Sequence, residues 1–211
     1  RKSVSILQEL KERVSRIVAL GDHEGRAIIA IAGPPGSGKS SLSEKACSLL
    51  PPRSAQVVPM DGFHYDNAIL DQLGLRNRKG APETFDFDGF ETTLKRLRHN
   101  AGGVAVPVFD RPIDLSRASA RLITPETKYV LVEGNYLLLG DGPWSGLRPL
   151  FDLSIFIDVP RPELERRLVQ RWLDLGHAEA AARAWVENSD MKNVDLVLGS
   201  RQRPDFTWHF E

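Results

Sequence analysis

The chain has 211 residues, long enough to bury a full core, and its 28 basic and 28 acidic residues cancel. That balance gives no sign of a nucleic-acid or anionic-membrane partner, and the single cysteine, Cys47, excludes an intrachain disulfide. No apolar run reaches the roughly 18 residues of a membrane span and no signal peptide is visible, so a cytoplasmic protein is the simplest reading.

Val4, Leu7, Leu10, Val14, Ile17 and Val18 predict an N-terminal amphipathic helix. An apolar strand follows at 27–32. Next come Gly33, Pro34, Pro35, Gly36, Ser37, Gly38, Lys39 and Ser40, a complete G-x-x-x-x-G-K-[ST] loop. Leu42, Ala46, Leu49 and Leu50 then form a helical stripe that Pro51 and Pro52 end. Cys47 on this helix reads as a small buried hydrophobe. The motif thus lies between a strand and a helix N-terminus, where backbone N–H groups and the helix dipole favour phosphate. Gly33 to Ser41 are the expected nucleotide contacts. Lys39 would reach the β- and γ-phosphates of ATP, and the Ser40 hydroxyl would ligate Mg²⁺.

A second strand is expected at 55–60, then irregular chain at 61–86 with a short helix near 66–73. Asp88 is the expected cap of a helix carrying Phe90, Leu94 and Leu97, stopping at Asn100-Ala101-Gly102-Gly103. Strands follow at 104–109, 128–133 and 153–159. Pro162 opens a helix with Leu164, Leu168 and Leu175, and an Ala-rich helix covers 178–188. The run from Val194 to Leu198 reads as a strand, and Phe206, Trp208 and Phe210 as a half-exposed edge strand. Strands alternating with helices predict an α/β fold, a mostly parallel sheet with helices on both faces, in one domain spanning 1–211.

In such a sheet, ligands sit at the carboxyl ends of the strands. Asp61 closes the second strand and would face Lys39, as proton acceptor for an attacking hydroxyl or as the cap of a turn. His64 and Tyr65 follow it and suit a ligand pocket. Glu133, after Leu131-Val132, holds the Walker B position for Mg²⁺; the alternative is an acid that merely ends a strand. Asp110 and Arg111 would enter the same crevice or pair with each other. Arg167 and Arg171 share a helical face, which spacing alone assigns to solvent. The D-x-x-G at Asp86–Gly89 lacks a preceding buried strand, and no N-K-x-D motif exists, which argues against a GTPase. An L-S-G-G-Q signature is absent, and Gly36-Ser37-Gly38-Lys39-Ser40-Ser41 lacks the third glycine of a dinucleotide fingerprint.

The phosphate loop, Met60-Asp61-Gly62-Phe63-His64, Gly80-Ala81-Pro82-Glu83-Thr84-Phe85-Asp86, Pro107-Val108-Phe109-Asp110 and Val132-Glu133-Gly134 stand in an order that resembles one branch of small-molecule P-loop kinases. That branch holds uridine kinase, type I pantothenate kinase and phosphoribulokinase. Within it, the chain is similar to bacterial fructose-transport-associated kinases. The resemblance spans roughly 27–200. It implies an ATP- and Mg²⁺-dependent kinase with Asp61 as general base and Glu133 at the metal site. It also implies a helical lid at 161–189 bearing Arg167 and Arg171. Phe85, Asp86, Asp110, Arg111, Asn188 and Asn193 would join His64 and Tyr65 around the acceptor. Two positions depart from the pattern: Asp174 stands where the uridine kinase lid has a further arginine, and Phe109 replaces a tyrosine. The expected acceptor is a small hydroxylated metabolite, a sugar such as fructose, with a nucleoside or pantothenate as alternatives. A nucleotide-dependent regulator is the competing class. A homodimer is compatible with the sequence and not dictated by it.

Overall fold

A computed structural model describes residues 25–209 and, before them, 12, 15–17 and 19. Val4, Leu7, Leu10, Val14, Val18 and Phe210 of the sequence expectations lie outside the described residues. Ile17 lies inside them, helical and buried.

The centre is β1 (Ala27–Ala32), buried along its whole length. It lies between β5 (Tyr129–Gly134) and β6 (Leu153–Asp158), both parallel to it. β2 (Ala55–Pro59) and β7 (Phe206–His209) form the edges, completing the order β2-β5-β1-β6-β7. Every pairing in this sheet is parallel. A parallel sheet covered on both faces needs apolar residues on both, so β1 reads as an unbroken Ala/Ile run. Its alternate residues serve different cores. Ile28, Ala30 and Ala32 pack with Phe90, Leu94 and Leu97 of α3 (Phe87–His99). Ile29 and Ile31 pack with Leu42 and Ala46 of α1 (Lys39–Leu49) and with Leu164 and Leu168 of α4 (Arg161–Asp174). A short α2 (Asn67–Gln72) falls where the sequence placed one.

Three expectations are corrected. The helix cap is Asp86, whose Oδ1 accepts from the Gly89 N–H at 2.9 Å; Asp88 is exposed in the first turn. The strand at 104–109 exists as β3 (Val104–Asp110) but stands apart from the parallel sheet. It pairs antiparallel with β4 (Leu115–Ile123), which the sequence reading left out. Much of β4 is exposed, so its Ser-Arg-Ala-Ser-Ala stretch carries no apolar alternation. The run Val194–Leu198 is helical: α5 (Glu179–Trp185) passes through a π turn (Val186–Asp190) into α6 (Met191–Gly199). Val194 and Val197 bury one face of α6, a three-residue spacing that a five-residue apolar run does not separate from a strand.

The ribbon is fastened to the edge of β2 by side chains. Arg121 donates to the Val57 carbonyl, and Gln56 Nε2 donates to the Leu122 carbonyl at 3.1 Å. Beside this attachment, Arg26 is 5% exposed and donates to the carbonyls of Thr127 (2.8 Å), Leu97 (3.0 Å) and Thr124 (2.6 Å). Replacing it would strand these acceptors, each at a cost of about 1–3 kcal/mol where no water enters. Arg26→Met should therefore lose about 3 kcal/mol of stability and roughly 10 °C of melting temperature, read by thermal denaturation. An unchanged melting temperature would mean that water replaces the guanidinium.

Candidate active site

The phosphate-type loop joins β1 to α1. Gly36 and Gly38 take φ of 81° and 89°, a left-handed backbone that favours glycine. Lys39 is 8% exposed and its Nζ donates to the Pro34 carbonyl at 3.0 Å. Burial pushes its ammonium down to about 8, against the pull of the Glu133 and Asp61 carboxylates. Ser40 Oγ donates to Glu133 Oε1 at 3.0 Å, so the loop hydroxyl and the acid ending β5 occupy one place. Burial pushes the Glu133 carboxyl up, and the Asp61 carboxylate pushes it further. A hydroxyl–carboxylate pair with an exposed serine, a buried glutamate and a second acid in electrostatic reach suits a hard divalent cation, which takes few protein oxygens and shares substrate phosphates.

Asp61 sits on the 3₁₀ turn Met60–Phe63 that ends β2. Its Oδ2 accepts from Arg111 Nη2 at 2.8 Å. This contact depends on Gly62: a Cβ there would lie 2.4 Å from the Pro107 carbonyl oxygen, so a larger residue would push the ribbon away. The turn carrying Arg111 is held by Lys79. Its Nζ donates to Asn67 Oδ1 (2.8 Å) and the Asp114 carbonyl (3.0 Å) and pairs with the Asp114 carboxylate (2.8 Å). Asp110 pairs with Arg117 at 3.2 Å, so the expected choice between a shared crevice and a mutual pair resolves differently for the two residues.

The loop at 80–86 folds onto the end of β2. Tyr65 N–H donates to the Thr84 carbonyl, and Asp86 N–H to the Phe63 carbonyl. His64 Nδ1 is 2.8 Å from the Asp61 carbonyl oxygen, and its ring packs against Phe85 (4.0 Å between centroids) and Phe109 (4.9 Å). Burial holds the His64 imidazolium below the usual range. Tyr136 hydroxyl donates to the Gly80 carbonyl. Asn193 is buried, its Nδ2 3.8 Å from where a Cβ on Gly80 would lie. Asn188 is set apart: it is exposed and its amide donates to the Ala184 carbonyl.

On α4, Arg167 Nε donates to Glu163 at 2.7 Å and its Nη1 lies 3.5 Å from the Gly36 carbonyl oxygen. Arg171 is half-buried. Burial lowers its ordinary value, and it feels the charges of Asp190, Arg111 and Asp61. Thus Lys39, Ser40, Asp61, Arg111, Glu133 and Arg171 converge electrostatically, with Arg167 on the loop. Sequence reasoning missed Lys79, Tyr136 and Asp190. Tyr136 lies three residues after Glu133, and Lys79 directly precedes the Gly80–Asp86 loop, so both stood close to a recognised motif.

The model of the phosphoribulokinase / uridine kinase family matches residues 28–195. The chain belongs to that family. A solved structure described as a "putative fructose transport system kinase" from Silicibacter sp. TM1040 is 43% identical, with a TM-score of 0.88 over 94% of this chain and 98% of that one. The Escherichia coli (strain K12) protein YggC is 38% identical over 84% of this chain and 75% of its own length. A "putative uridine kinase" of Schizosaccharomyces pombe is 31% identical over 92% of this chain and 87% of its own. The family resemblance read from the motifs and the α/β fold with its mostly parallel sheet therefore stand. Among the described residues no helix is long and apolar enough to cross a membrane.

Proposed function

We propose that the protein transfers the γ-phosphoryl group of ATP to a hydroxyl of a small polar metabolite, a sugar of the fructose class. The observation that carries this reading is the meeting of Asp61, Lys39 and the Ser40–Glu133 pair at the ends of β1, β2 and β5. The ATP phosphates lie along residues 33–41, with Lys39 on the β- and γ-oxygens. Ser40 and Glu133 would hold Mg²⁺, which would supply positive charge to offset that of the phosphates. Asp61 takes the proton of the acceptor hydroxyl as its oxygen bonds to the γ-phosphorus and the bond to the β-phosphate oxygen breaks, releasing ADP. Arg167 and Arg171 place positive charge on the group in flight, and the helices at 161–189 close over it as a lid that excludes water.

The acceptor wall argues for a sugar over a nucleoside. A base needs a free ring face, and of the four aromatics nearby only the half-buried Tyr65 is left to offer one. Phe63 and Phe85 are 6% and 3% exposed and sit in the core. Phe109 has His64 against its ring, and Lys79 Nζ lies 5.2 Å from its centroid. Polar groups of Asp61, Arg111 and Asn193 remain, and paired donors and acceptors suit a polyol. The name of the 43%-identical relative points the same way. Asp86, Asp110, His64 and Tyr65 frame this pocket by holding its loops. Asn188 faces away in this arrangement and would join it only if the lid moves.

The uridine reading rests on the description of the matching family and on the name of the yeast relative. ADP release measured with fructose, uridine and pantothenate separates the cases. Fructose should stimulate turnover and the other two should not. Stimulation by uridine with indifference to fructose overturns the sugar assignment. Stimulation only by a protein partner would make the chain a nucleotide-dependent regulator.

A further inference from the structure

We propose that Asp190 is a positioning residue for Arg171, holding that guanidinium over the phosphoryl centre from the far side of the lid. The inference rests on the role given to Arg171 above.

The π turn Val186–Asp190 is closed by Met191 N–H donating to the Val186 carbonyl, five residues back. Single π turns are rare, and they frequently mark functional sites. This one leads into a buried face made by Val186, Ser189, Asp190, Asn193, Val194 and Val197. Asp190 is therefore a carboxylate inside an otherwise apolar and amide-lined seam. A buried carboxylate is costly unless it is hydrogen-bonded and faces a cation.

Asp190 has both. Its Oδ2 accepts from Trp172 Nε1 at 2.8 Å. The cation acting on it is Arg171, one residue before that tryptophan on α4. Trp172 is the hub of the arrangement. Its ring lies 5.7 Å from the Arg171 guanidinium carbon and packs edge-on against Trp185 (5.6 Å) and His177 (5.1 Å). The indole thus fixes the α4 residue beside Arg171 to the π turn.

Arg171 needs such a tether. It shares its surroundings with two other cations, Arg111 and Lys39, which repel it. Asp61 attracts it but is already engaged by Arg111 at 2.8 Å. Without Asp190, a long half-buried side chain among like charges would turn to water. With it, the Asp190 carboxylate, bonded to the tryptophan whose ring lies beside the guanidinium, supplies the attraction that opposes Arg111 and Lys39. Asp190 would touch neither nucleotide nor acceptor, so its effect should appear in turnover and not in ATP affinity.

A double-mutant cycle tests this. ATP turnover is measured with fructose and with water alone for the wild type, Asp190→Asn, Arg171→Met and the double variant. Asparagine keeps an oxygen for Trp172 and removes the charge. Asp190→Asn should lower kcat about 10-fold with the KM for ATP changed less than twofold, and Arg171→Met should lower kcat about 100-fold. The double variant should be no slower than Arg171→Met alone. If Arg171→Met is impaired while Asp190→Asn is not, or if the two losses multiply in full, this inference is wrong and the kinase reading survives. An unimpaired Arg171→Met overturns both the arginine's role and this inference. Should Asp190→Asn fail to fold, Trp172→Phe in the same cycle takes its place: it keeps the carboxylate and removes the indole N–H that orients it.

Discussion

Lys39→Ala should nearly abolish phosphoryl transfer, by about 10³-fold or more, while leaving the fold intact. The ammonium is the one loop cation aimed at the β- and γ-phosphates in the proposed complex, and removing a single preorganised charge stabiliser typically costs about 10²–10³-fold in rate. Nucleotide binding should weaken as well, because the same charge meets the ground-state phosphates. The fold should tolerate the change, since Lys39 belongs to neither apolar cluster and its Nζ bonds a loop carbonyl. The pH dependence carries a sign. Burial has lowered the ammonium to about 8, so it is charged below that pH and loses its proton above it. ATP affinity should therefore fall as pH rises from 7 to 9, and binding should take up a proton at the upper end. Calorimetry in buffers of different ionisation enthalpy measures that uptake. The Lys39→Ala protein should show neither the uptake nor the pH dependence near 8. Transfer at close to the wild-type rate in the variant would remove the loop from the active site altogether.

How much of this site could be read from the chain depended on how local its physics is. The loop from Gly33 to Ser40 was legible because strand, glycines and helix start lie in one stretch, and left-handed φ at Gly36 and Gly38 is what the motif needs. β1, β5 and β6 were legible because two buried faces demand unbroken apolar runs. The ribbon was half-legible. β3 has Val104 and Val106 packed into the core beside α3, whereas β4 shows an exposed middle with small and charged residues. Val194–Leu198 misled because five apolar-rich residues satisfy a strand and a helix alike, and the π turn that sets its phase leaves no mark in composition. Asp86 and Asp88 are both plausible caps two residues apart; the choice fell to the Gly89 N–H. The ion pair between Arg111 and Asp61 was beyond reach. It spans fifty residues and rests on a turn with Asp114 at φ 52°, clamped by Lys79.

That ion pair sharpens the second large effect. Asp61→Asn should lower kcat by about 10²–10⁴-fold, the usual loss when a general base is removed, with the KM for ATP little changed. Asparagine keeps the shape of the side chain, and its amide oxygen can still accept from Arg111, now without the charge that makes the 2.8 Å contact an ion pair. The turn at Met60–Phe63 should also persist. Its His64 ring and backbone contacts go to the Asp61 carbonyl and not to the carboxylate. Structure and nucleotide binding are therefore expected to survive while proton acceptance does not. The contrast with Arg111→Met isolates the two roles of the carboxylate. If Asp61 works mainly as the base, Asp61→Asn should be far slower than Arg111→Met, because the latter leaves a free carboxylate to take the proton. If Asp61 serves only to anchor the ribbon, the two variants should lose the same modest amount. Steady-state ADP release and a burst measurement on each protein decide between them, and an unimpaired turnover number in Asp61→Asn would reduce Asp61 to the anchor of Arg111.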